Sequence, residues 1–307
     1  ETLLNLIEAE KNDQQVVGKV EDDGYVTTES FFASGSLLAH TIYKPVSTTI
    51  GKPLLIAHGF LGSRILWDSV ARAITKATNR VVITFDTRHH GDSPCLPELA
   101  YELMVDDVLN LTHHLKIKKF SVLGHSTGGN TLMAFALKHS EMIEKMVVVD
   151  VSPFGLKPII QPYVEAAKKI TSILENSSSS SFLETKEMVD TALEKFNLEP
   201  AMKAYMLANL VNMDGKLVWY GKPSLDVIIR NYDKLVEFPK ELLDYKFGGP
   251  TLFIKGENSG FISKSSFATT QNIFTNAQLS VVPNAGHFPH AQNFEGFMLT
   301  LLPFISA

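Results

Sequence analysis

The 307-residue sequence predicts an α/β chain. The expected form is one mostly parallel sheet of about eight strands, with helices on both faces and a helical segment inserted between two strands. Three observations predict it. From residue 53 onward, short apolar strands alternate with helical stretches. The strands are unbroken Val/Ile/Leu runs, as befits a parallel sheet buried on both faces. The alternation is interrupted once, between about 154 and 247, by helical patterns without a parallel-sheet strand.

In order, "PLLIAHG" (53–59) precedes a helical 64–77, and "RVVITFD" (80–86) precedes a helical 101–115. "FSVLGHS" (120–126) precedes a helical 128–139, followed by "KMVVVDVSP" (145–153). Past the interruption, "PTLFIKG" (250–256), a helical 263–275, "QLSVVP" (278–283) and a helical 290–303 resume the rhythm. Upstream, "YVTTESFF" (25–32) and "LLAHTIY" (37–43) read as a leading antiparallel pair. The expected domains are an N-terminal extension (1–24), a core (25–153 and 248–307) and a helical lid (154–247). Ser177 to Ser181 is expected to be a flexible linker within the lid.

A net charge of −5 gives no electrostatic footprint for nucleic acid. No apolar run reaches the roughly 18–20 residues that span a bilayer. One cysteine, Cys95, excludes an internal disulfide framework and fits a reducing compartment. Residues 1–24 lack the charged-then-apolar pattern of a secretory signal.

Ligands of a parallel open sheet bind beyond the C-terminal strand ends. Those ends read His58-Gly59-Phe60, Asp86 to Gly91, His125-Ser126-Thr127-Gly128, Asp150, Glu257 and, after the last strand, His287. They hold a hydroxyl, acids and a histidine base, without a metal-like cluster or cofactor motif. Ser126 stands between Gly124 and Gly128 where a strand turns sharply into a helix. Such a corner forces positive φ, which costs a non-glycine residue about 1–3 kcal/mol. A plain turn would place glycine or asparagine there. The pattern is a nucleophile elbow, with Ser126 as the expected nucleophile.

The elbow puts the Thr127 amide at a helix start, where N–H groups favour an anion. A second donor is expected from "AHGFLGS", the Phe60 amide. A serine hydroxyl needs a base, and His287, in the loop after the final strand, is best placed. His290 reads as the start of the next helix, and His89, His90 and His125 as loop or packing residues. The orienting acid should fall between 127 and 286. Asp150 is the better candidate, Glu257 the main rival, and Asp226 a more distant one.

The set "HGFLGS", "FDTRHHGDSP", "GHSTGG", "VVVDVSP", "LANLVNMDGKLVW" and "VPNAGHFPH" resembles the α/β-hydrolase group of abhydrolase-domain-containing protein eleven over roughly residues 40–305. The group is similar to short-chain bacterial esterases and yeast ethanol acetyltransferases. Thr127 departs from the methionine usual after the serine, and an asparagine commonly precedes His-Gly in the group's counterpart of "RHHGDSP". The resemblance implies an α/β-hydrolase fold, an acyl-ester substrate, no cofactor, a mitochondrial location (otherwise cytoplasmic) and a link to a lipoylated 2-oxo acid dehydrogenase complex. Three readings stay open: an ester hydrolase, an acyltransferase using the same acyl-enzyme, and a largely non-catalytic protein that protects a partner enzyme.

Overall fold

Why the strands are apolar throughout is plain from the packing. Leu54 and Ile56 face one buried cluster while Leu55 and Ala57, alternating with them, face another. The computed structural model describes residues 15–21, 25–31, 37–154, 157–177, 180–219 and 225–306. Strands β1 (Gln15–Glu21), β2 (Tyr25–Phe31) and β3 (His40–Pro45) form an antiparallel meander. It leads to β4 (Leu54–Ala57), α1 (Asp68–Thr78), β5 (Val82–Phe85) and α2 (Tyr101–His114). Then come β6 (Phe120–His125), α3 (Thr127–Lys138) and β7 (Ile143–Val149).

The interruption holds α4 (Lys157–Asn176), α5 (Phe182–Leu193), α6 (Pro200–Ala208), the hairpin β8 (Leu210–Met213) and β9 (Lys216–Trp219), α7 (Leu225–Arg230) and α8 (Tyr232–Val236). The chain returns through β10 (Thr251–Gly256), α9 (Lys264–Thr270), β11 (Ala277–Val282), α10 (Pro289–Gln292) and α11 (Phe294–Ser306).

Among the described residues the main sheet has nine strands in the order β1-β2-β3-β5-β4-β6-β7-β10-β11. The strands from β4 onward in this sheet are mutually parallel. The ninth strand, β1, comes from the stretch expected as an extension. After β4 the chain places β5 on one side and β6 on the other. In open α/β sheets such a reversal marks the place at the strand ends where ligands bind.

Two local features of the insertion bear on its expected form. Ser181 caps α5 in a capping box with Glu184, and the buried Ser177 hydroxyl donates to the Ile173 carbonyl. These described ends of the serine run are fastened, and 178–179 lie outside the described residues. The periodicity of "AMKAYMLANLVN" ends early, because Asn212 Oδ1 accepts the Gly215 amide (2.9 Å) and closes a hairpin turn. Asp214 (φ 51°) and Gly215 (φ 80°) supply its two left-handed residues.

Candidate active site

The corner at Ser126 has φ 53° and ψ −123°. The residues two positions to either side are glycines because the backbones close on each other there. A Cβ on Gly124 would lie 2.5 Å from the Gly128 carbonyl oxygen, and one on Gly128 would lie 2.3 Å from that of His58. The strain is maintained by fully buried packing of α3, whose residues 127–137 are all buried.

His287 and Asp150 meet across the strand ends: His287 Nδ1 lies 2.8 Å from Asp150 Oδ2. Asp150 is wholly buried at φ 51°, immediately after β7. Its other oxygen accepts the Gly256 amide at 3.1 Å, and the Ser259 hydroxyl donates to the oxygen that faces His287. Ser259 Oγ in turn accepts the Phe261 amide at 3.2 Å. The Phe261 ring stacks on His287, centroids 3.6 Å apart. Ser259 and Phe261 escaped the sequence reading, although both lie within "GENSGFI" beside Glu257.

The rival acids Glu257 and Asp226, and the strand-end Asp86, stand elsewhere. Glu257 is exposed, and its carboxylate accepts the Asn284 amide at 2.9 Å, bracing the loop that carries His287. Asp226 lies in α7. Asp86, at the end of β5, is occupied by Arg64: it accepts the Arg64 amide at 2.6 Å and the guanidinium Nη1, which also reaches Asp92 at 2.7 Å.

The other histidines pack around the site. His125, next to Ser126, donates from Nε2 to the His287 carbonyl at 2.8 Å, with ring centroids 4.7 Å apart. His290 lies at the start of α10, stacked on Trp67 at 4.1 Å. His90 Nε2 accepts the Leu61 amide at 3.2 Å. His89 turns away toward the Glu98 carbonyl (3.3 Å). Burial lowers the pKa of His125 well below its ordinary value and that of His290 to about 3, with neighbouring imidazoles pushing the same way.

The loop after β4 abuts the elbow. A Cβ on Gly59 would come 3.0 Å from Ser126 Cβ. Within this loop Gly62 donates to the Gly59 carbonyl at 2.9 Å and Leu61 to His90. Among the described residues, the amides of Phe60 and Thr127 have no acceptor in the protein. Tyr205 of α6 reaches this loop at Gly62, and its ring lies 4.6 Å from that of Phe288. Of the two lid aromatics expected to line an apolar acyl slot, Trp219 fastens the hairpin to α4 through its indole N–H and Thr171 Oγ1 (3.3 Å), and Tyr220 lies outside the described residues. Among the described residues no helix is long and apolar enough to cross a membrane, and no group of His, Cys, Asp and Glu could hold a metal ion.

Comparison with known proteins places this architecture. A family profile described as "alpha/beta hydrolase fold" matches residues 52–166. The mouse protein named sn-1-specific diacylglycerol lipase ABHD11 is 34% identical over 255 residues, covering 82% of this chain and 80% of its own. The chain belongs to the ABHD11 group of α/β-hydrolases. This α/β-hydrolase is also 26% identical to ethanol acetyltransferase 1 of Cyberlindnera jadinii, over 77% of the chain and 74% of the relative. A solved structure described as a marine microorganism esterase superposes with a TM-score of 0.75 at 26% identity, covering 87% of the chain and 99% of its own. Relatives named as lipase and esterase support hydrolase activity in general.

Proposed function

We propose that this α/β-hydrolase cleaves carboxylic esters through an acyl-enzyme on Ser126. His287 takes the Ser126 proton as the hydroxyl attacks the ester carbonyl, and returns it to the leaving alcohol. Water, deprotonated by the same imidazole, then releases the acid and restores Ser126. Asp150 orients the imidazole and stabilises its charged form. The Phe60 and Thr127 amides receive the oxyanion, each worth about 2.7–4 kcal/mol in systems of this kind.

The observation that carries this reading is the Asp150–His287 pair, held by His125 beside a strained serine corner whose adjoining amides have no acceptor among the described residues. The proposed substrates are small or medium acyl esters. The name of the mouse relative adds glycerol esters to the set worth assaying. By family resemblance the proposed location is mitochondrial, testable by fractionation.

The test combines fluorophosphonate labelling with hydrolysis of p-nitrophenyl esters from C2 to C16 and of a diacylglycerol. Labelling and turnover are expected in the wild type and absent in Ser126→Ala. Preference for C16 over C4 would refute the size assignment. The ethanol acetyltransferase relative makes a parallel run with ethanol informative: ethyl ester in place of free acid would make acyl transfer the dominant outcome. Intact folding without labelling would favour the non-catalytic reading.

A further inference from the structure

Two histidines outside the proposed proton path lie under the loop after β4. His58 Nε2 accepts the Thr87 amide at 3.0 Å, so its proton is on Nδ1, which donates to the Gly59 carbonyl at 2.8 Å. The same carbonyl accepts the Gly62 amide at 2.9 Å. His90 is held in the same tautomer: Nε2 accepts the Leu61 amide at 3.2 Å and Nδ1 donates to the Arg88 carbonyl at 3.0 Å. Both rings are buried, and burial holds both neutral, lowering the pKa of His58 to about 4 and that of His90 to about 3. A charged ring would press an N–H against an amide N–H.

The Gly59 carbonyl and the Phe60 N–H belong to one planar unit, and in a trans unit they point in opposite directions. No cis peptide is present among the described residues. Two donors on the Gly59 oxygen therefore fix the direction of the Phe60 N–H. Leu61, at φ 57°, has its own amide drawn away by His90. Gly59 itself rests against Ser126.

We propose that His58 is a positioning residue for the oxyanion donor: by holding the Gly59 carbonyl through Nδ1–H, it turns the Phe60 N–H toward the acyl oxygen on Ser126. This rests on the serine-hydrolase reading above. Asparagine and glutamine separate the two ends of the ring. Asparagine puts an N–H near the former Nδ1, whereas glutamine puts an acceptor near the former Nε2 and cannot reach the Gly59 oxygen.

The experiment measures kcat, KM, melting temperature and inhibition by a trifluoromethyl ketone, a tetrahedral mimic, in wild type, His58→Asn and His58→Gln. His58→Gln is expected to lose kcat by about 10²–10³, the effect of losing one oxyanion donor. KM should stay within about twofold, with inhibitor affinity falling in step with kcat. His58→Asn should retain most of kcat, although both variants lose one buried hydrogen bond and melt lower to a similar degree. Equal kcat in the two variants, or losses that track melting temperature, would overturn the proposal. Should the variants not fold, ¹⁵N spectra of the wild-type imidazoles decide: Nδ1–H on His58 supports it, and Nε2–H overturns it. Absence of Ser126-dependent turnover in the wild type would instead remove the serine-hydrolase reading, so the two failures are distinguishable.

Discussion

Phe261 lies face to face on His287, with ring centroids 3.6 Å apart and planes 13° apart. One face of the imidazole is thus covered while Asp150 holds its Nδ1 edge. Aromatic stacking of this kind contributes about 0.5–1.5 kcal/mol. Phe261→Ala is therefore expected to lower kcat about three- to tenfold with a smaller change in KM. Stopped-flow acylation by p-nitrophenyl acetate checks it.

Asp150 accepts from three donors, His287, Ser259 and the Gly256 amide. Asp150→Asn is expected to lower kcat by up to about 10⁴ with the fold intact, because an amide cannot orient and stabilise the charged ring equally well. Ser259→Ala should cost about tenfold, since a hydrogen bond to a charged group contributes about 1.5–3 kcal/mol and the other donors remain. Glu257→Gln and Asp226→Asn should keep most activity. Steady-state kinetics beside circular dichroism of the five proteins decides the order.

Burial keeps His58, His90, His125 and His290 neutral in the fold, with pKa values lowered from 6.5. The unfolded chain takes up protons there that the native chain refuses. Their contribution is complete above about pH 6.5 and is lost as pH falls toward 4, by about 1.4 kcal/mol per pH unit for each ring. Urea unfolding at pH 7.5 and 5.0 should show the loss. His290 Nδ1 is buried without a hydrogen-bond partner among the described residues. His290→Phe, which keeps the stack on Trp67, should reduce the pH slope by about one proton.

Gly62 makes room for the insertion. A Cβ there would lie 2.1 Å from Tyr205 Oη and 2.9 Å from the Gly59 carbonyl oxygen. Gly62→Ala should displace Tyr205 from Phe288 and unseat α6, lowering turnover while the sheet core stays folded. Faster limited proteolysis within 157–236, at nearly unchanged far-ultraviolet circular dichroism, is the expected readout.

The alternation of strands and helices was legible because both faces of each central strand are buried, which writes continuous apolar runs into the chain. The hairpin at 210–219 carried a signal too, Asp214-Gly215, but the preceding helical periodicity masked it. The Asp150–His287 contact was foreseeable from strand-end position and chain order.

By itself the sequence determined what lies within a few residues: the glycines that let Ser126 turn a strand into a helix, the strand-end positions of Asp150 and His287, and the apolar strands that carry them. Only the tertiary structure decided the rest. Ser259 on Asp150, Phe261 on His287, His125 on the His287 carbonyl and His90 on the Leu61 amide join groups from 26 to 162 positions apart. Such contacts leave no periodic trace in the chain. They arise because a parallel sheet gathers the C-terminal ends of strands distant in sequence onto one edge, where their loops must satisfy each other's buried polar groups.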